Sequence, residues 1–236
     1  MDSLSQVDDL AERIRSRGHW HVVIRPTKFD KERVRYADLE RVIGETRVSV
    51  RGWDLPHVDD PSPIERGENW VGRHVEFDYH LEVWRLYQSG QFVHLNCLRE
   101  DWRDESSLYP ADADWQLGGR LGVGDALYTL GEYFEFAARL ALSDAGDSLM
   151  AVRIRLHNLQ DRQLWVEDPM RSGFLKPQVT KMDEFALSRD LPREELVAKP
   201  RELATEAARE LFARFGWDAP LDTLRDHLES LWNWRR

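Results

Sequence analysis

Cysteine is almost missing. Cys97 is the only one in 236 residues, which excludes an internal disulfide and any zinc site built on several thiolates. The expected setting is reducing and cytoplasmic. Long apolar runs are missing as well. No window reaches the roughly 18 apolar residues that a membrane-spanning helix needs. The start, MDSLSQVDDLAERIRSRG, lacks the apolar stretch of a secretory leader, so no membrane partner is expected. Lysine is scarce, at five of 33 basic residues, the rest being arginine. Acid exceeds base, 43 to 33, for a formal net charge of −10. The deficit is concentrated in residues 51–182, with 22 acids against 14 bases. Long-range attraction to a phosphate backbone is therefore not supported, and nucleic acid is not favoured as a partner. Internal repeats, heptads and low-complexity tracts are also lacking.

What is present is a core and a great deal of tryptophan. Apolar residues make up 42% of the chain, enough for a folded interior, and ten are Trp. Arginine supplies rigid forks suited to carboxylates and phosphates.

The apolar spacing predicts a helix over residues 4–17 and a strand at HWHVVIRP, 19–26. A helix follows at 36–45 and a strand at RVSVRGW, 47–53, which together suggest a βαβ unit. Residues 54–73 read as a long ordered loop. In HVEFDYHLEVWRLY, 74–87, Val75, Phe77, Tyr79, Leu81 and Val83 alternate with His74, Glu76, Asp78, His80 and Glu82, and the segment reads as one half-buried strand. QFVHLNCL, 91–98, is its partner. A three-residue loop, Gln88-Ser89-Gly90, pairs Tyr87 with Gln91 and sets Trp84 opposite His94 and Leu86 opposite Phe92. It also aligns Leu81, Val83, Val93, Leu95 and Cys97 on one face, with Gly90 in the left-handed conformation. The acidic stretch 99–116 is loop, and a helix follows at 125–142. Residues 148–166 read as a hairpin and 183–191 as a last strand. Two amphipathic helices close the chain, with Pro200 and Pro220 near their starts and Gly216 at the first stop. The fold class is α+β: a mixed, mainly antiparallel sheet of six or seven strands with packed helices and a C-terminal helical pair. One unit over 1–236 is expected, and a division into 1–191 and 192–236 is the alternative.

The candidate sites follow from this layout. His74, Glu76, Asp78, His80 and Glu82 line what reads as the solvent face of strand 74–87. Alternate strand residues lie about 6.5–7 Å apart, so Asp78, His80 and Glu82 are the candidate ligands of a divalent transition metal, with His57, Asp59 and Asp60 available from the preceding loop. The segment GVGD, 122–125, lacks the third glycine of a dinucleotide loop and the Lys-Ser or Lys-Thr of a Walker loop. Asp125 is read as a helix cap. Trp84, Phe92 and His94 form an aromatic face near the hairpin tip, to be covered by helix 125–142 or used for recognition. Arg51, Trp53 and His57 are its neighbours, and Arg153 and Arg155 form an outward stripe.

The leading expectation is a non-enzymatic cytoplasmic module that recognises a protein or small ligand through that aromatic/Arg/His surface and needs no cofactor; a homo-oligomer is an open alternative. One alternative is a metal-dependent hydrolase or nuclease. Another is single-stranded nucleic-acid binding by stacking.

Overall fold

Alternating apolar positions and short, polar turns favour antiparallel strands, and these form most of the sheet. The computed structural model describes residues 3–28, 31–108, 115–168 and 171–233. The strands are β1 (His19–Pro26), β2 (Val48–Ser49), β3 (Asp54–Leu55), β4 (Glu65–Arg66), β5 (Trp70–Phe77), β6 (His80–Tyr87), β7 (Phe92–Cys97), β8 (Arg120–Gly122), β9 (Leu149–His157), β10 (Gln163–Trp165) and β11 (Phe185–Pro192). The helices are α1 (Ser3–Arg15), α2 (Leu39–Thr46), α3 (Val123–Leu142), α4 (Arg193–Ala198), α5 (Pro200–Ala213) and α6 (Leu221–Asn233). Seven strands form one antiparallel sheet in the order β11-β9-β1-β7-β6-β5-β4. The fold is α+β, with a C-terminal helical pair. Among the described residues, parallel pairing is confined to the short β8–β10 ladder.

The β6–β7 hairpin has the register expected of a three-residue loop. Trp84 faces His94, Leu86 faces Phe92, and Tyr87 N–H donates to the Gln91 carbonyl. Gly90 has φ +81°. On one face Leu81, Val83, Leu95 and Cys97 pack under Leu10, Ala11 and Ile14 of α1 and against Trp102. Val93 is half-buried beside them. On the other face Trp84, Leu86 and Phe92 join the main core under α3, where the Phe92 and Phe136 rings lie 4.4 Å apart. Both faces of the hairpin are therefore covered, and Cys97 is sealed between layers. Its thiol lies 3.2 Å from the Leu81 N–H nitrogen, and burial pushes it up to about 12.

Four expectations need correction. Residues 74–87 are two strands, not one. The chain reverses at Asp78-Tyr79, pairing Phe77 with His80 and Val75 with Glu82. Asp78 takes φ 52°, a conformation Asp tolerates, and its carboxylate is held by Ser106 and Ser107. Alternation alone hides such a turn, because a two-residue reversal preserves the apolar/polar rhythm. The βαβ unit is absent: β1 sits between β7 and β9, antiparallel to both, while β2 pairs with β3. Residues 148–166 do not form a hairpin, since β9 pairs with β1 and β11, and β10 turns away to β8. The N-cap of α3 is Gly122, not Asp125. The Gly124 and Asp125 N–H groups donate to Glu167 instead. The acidic stretch 99–116 lies partly outside the described residues, at 109–114.

Gly90 and Gly44 are expected to respond oppositely to alanine. A Cβ at Gly90 would run into the Ala145 carbonyl oxygen at a positive φ, whereas Gly44 sits inside α2 with open space around it. Urea unfolding should show Gly90→Ala less stable by about 2 kcal/mol or more and Gly44→Ala more stable by roughly 0.5–1 kcal/mol. Equal midpoints for the two variants would contradict this account of the hairpin.

Candidate metal centre

The two-residue period of a strand sets His80 and Glu82 on the same face of β6 as Trp84, which is the covered face beneath α3. β7 adds His94 to this face. The loop after β3 brings His57 down to it. All of these groups converge on one carboxylate. Glu82 is 1% exposed. Its Oε1 accepts the His57 backbone N–H at 2.8 Å. Its Oε2 lies 3.0 Å from His57 Nδ1, 3.1 Å from His80 Nε2 and 3.4 Å from His94 Nε2. The Trp84 indole N–H donates to the His57 carbonyl at 3.2 Å, so the His57 backbone is held on both sides. The Tyr133 hydroxyl lies 3.1 Å from His94 Nδ1.

The electrostatics follow from this crowding. Burial alone would raise the Glu82 carboxyl, but the His57 charge and the hydrogen bonds from His57 and His80, with His94 close by, hold it well below its usual range. Burial opposes protonation of His57, and the Glu82 carboxylate outweighs that and raises it. His80 is buried more deeply, and burial drives it down to about 4 against the pull of Glu82.

One donor atom from each of His57, His80 and Glu82 lies within 4.8 Å of the other two. His94 approaches Glu82 alone, from outside that triangle, and its Nε2 has no well-directed hydrogen bond. A pocket of about 280 Å³ opens onto His57 and His80, with Trp53, Arg99, Val75 and Tyr79 among its walls. Phe77 and Leu108, both well exposed, also line it. The Arg99 guanidinium stacks 4.1 Å from the centre of the Trp53 ring. Beneath it Arg51 is clamped to α3, donating to Asp125 Oδ1 at 2.6 Å, Thr129 Oγ1 at 3.0 Å and Glu132 Oε2 at 3.1 Å.

The structure gathers some of the candidate residues here and disperses others. His57, His80 and Glu82 meet, and Arg51, Trp53 and His94 adjoin them. Asp78 does not belong, because the turn carries it to Ser106 and Ser107, where hydrogen bonds overcome its desolvation and lower it to about 2. Asp59 pairs with Arg47, while Asp60 lines the pocket with its Oδ1 taken by the Ser62 N–H. Trp84, Phe92 and His94 are 0% exposed, so the aromatic face lies in the interior and offers no docking surface. Arg153 pairs with Asp190 across the strands, and Arg155 lies 4.0 Å from Glu184 on the far side of the sheet. Tyr79 and Tyr133 read in the sequence as packing residues, and Arg99 as part of a loop. Arg99 directly follows β7 and its short Leu98 connection, which was the available signal.

Compared with models of protein families, with curated proteins and with solved structures, the chain matches none.

A second buried acid stands next to Arg99. Glu100 Oε1 accepts the Gly122 N–H at 2.7 Å, and its Oε2 is buried with no hydrogen-bond partner. Burial, reinforced by the Asp125 charge, pushes its carboxyl up to about 8 from an ordinary 4.5. The folded chain thus keeps this proton through a range where the unfolded chain releases it. That contribution to stability is complete below pH 4.5 and is lost as pH rises to about 8. Glu100→Gln keeps the acceptor for Gly122 and removes the titration. Its unfolding midpoint should rise relative to wild type as pH goes from 4.5 to 8, and parallel curves over that range would refute a protonated Glu100.

Proposed function

We propose that the protein is a mononuclear metal-dependent hydrolase acting on a small molecule, with the ion held by His57, His80 and Glu82. The observation that carries this reading is the triangle of two imidazoles and one carboxylate, two members of which, His57 and His80, line a pocket. The 3.0 and 3.1 Å hydrogen-bond separations from Glu82 Oε2 are also compatible with donors sharing one ion, since bonds of about 2.0–2.2 Å at tetrahedral or octahedral angles put ligand atoms about 3.0–3.4 Å apart. Two imidazoles and a carboxylate without thiolate suit zinc, iron(II) or manganese. Three protein ligands leave a position open to water, and a bound divalent ion makes that water a nucleophile near neutral pH. In this reading His94 and Tyr133 orient the Glu82 carboxylate from behind, as outer partners of metal ligands do.

The geometry favours a small molecule over a nucleic acid. The pocket is about 280 Å³ and the chain carries a net charge of −10. The alternative of a partner-docking module has less support, because its aromatic contact residues lie under α3.

Elemental analysis of the purified full chain, loaded with zinc and then dialysed, tests the proposal. About one equivalent should be retained. His57→Ala, His80→Ala and Glu82→Gln should each weaken retention by roughly tenfold or more, while Asp78→Asn should match wild type. Circular dichroism checks that the variants fold. A wild-type chain that retains no zinc, iron or manganese, or an Asp78→Asn chain as depleted as Glu82→Gln, would overturn it.

A further inference from the structure

The walls of the pocket say more than its floor. Arg99 lines it with its side chain 18% exposed. Among the described residues one carboxylate lies within 4.0 Å of it, Asp125 at 3.8 Å, which is beyond hydrogen-bond reach. That carboxylate is already engaged by Arg51 at 2.6 Å. Trp53 lies against the guanidinium plane and fixes it, leaving the edge donors to meet a ligand.

Arg51 is committed to Asp125 and Glu132, which leaves Arg99 as the pocket cation with no carboxylate in hydrogen-bond reach among the described residues. Asp60, half-buried, also lines the pocket and keeps its charge, with its Oδ1 accepting the Ser62 N–H. The remaining walls, Val75, Phe77, Tyr79 and Leu108, are apolar or aromatic. A pocket with a cationic end beside the metal triangle and an apolar body selects its ligand by both features.

We infer that the ligand of this pocket is a small organic monoanion, a carboxylate on a flat apolar body, with Arg99 as the residue that receives its charge. The inference rests on the proposed pocket site but not on the identity of the ion. Its chemistry is that of a charge-assisted, two-pronged hydrogen bond made in a partly desolvated setting, which discriminates sharply against a neutral isostere.

Benzoate, benzamide and phenyl phosphate are suitable probes, titrated calorimetrically into the zinc-loaded full chain and its Arg99→Gln variant. Benzoate should bind wild type at least about tenfold more tightly than benzamide. Arg99→Gln should erase that preference while retaining zinc and its circular dichroism spectrum. Equal binding of the two probes, binding by neither, or a preference that survives in Arg99→Gln overturns the inference. Tighter binding of phenyl phosphate than of benzoate overturns it in favour of a phosphate ester. Zinc content reads the metal proposal independently. A chain that holds no zinc yet prefers benzoate through Arg99 sinks the metal centre and leaves this inference standing.

Discussion

A carboxylate sealed in a protein interior costs several kcal/mol unless other groups replace the water it has lost. Glu82 is such a group, and its solvation shell is built from distant parts of the chain. His80 comes from its own strand, His94 from the next, and His57 from a loop 25 residues upstream. The register of β6 against β7 and the path of the loop after β3 therefore matter to one buried charge. Trp84 ties the two together, packing in the core while its indole N–H holds the His57 carbonyl. Removing any one partner would strand the others in a low-dielectric site, a larger loss than the single contact.

A second polar layer separates this cluster from the helical side. Arg51 reaches up to α3, where Asp125, Thr129 and Glu132 receive it. One guanidinium reaches three acceptors on successive turns of α3, a spread of donors that the single ammonium of lysine could not reproduce. A comparable pair braces the other end of the sheet, where Arg162 and Asp101 are both buried and Asp101 also accepts the Gly18 N–H at 2.7 Å. The arginine bias of the sequence thus has a structural counterpart: buried and half-buried guanidiniums spanning elements that are not in direct hydrogen-bonded contact.

Much of the framework was legible in the sequence because it depends on local signals. The hairpin register followed from a turn length and a two-residue period, and helix ends followed from Pro200, Gly216 and Pro220. Non-local pairing was not legible. Nothing in residues 19–53 reveals that β1 will lie between β7 and β9. The turn at Asp78-Tyr79 lacks the glycine that usually marks a reversal and keeps the alternation intact. The candidate site was half legible for the same reason. His80 and Glu82 are neighbours along a strand, and their pairing is a matter of period alone. His57 reaches them only through tertiary folding. The strand face was misread as wet because an apolar face on the opposite side suggested a conventional half-buried strand. In fact α1 covers one side and α3 the other.

The position of Cys97 has a practical consequence. Its thiol is wedged under α1, close to the Leu81 amide, and held almost wholly protonated at ordinary pH. It is the only sulfhydryl in the chain, and the thiolate is the species that reacts. Burial and protonation together predict little reaction of the native protein with maleimides and similar labels. A cysteine introduced in place of exposed Phe77 or Leu108 would then be the sole point of attachment for a fluorophore or spin probe at the mouth of the pocket, with no need to engineer the natural residue away.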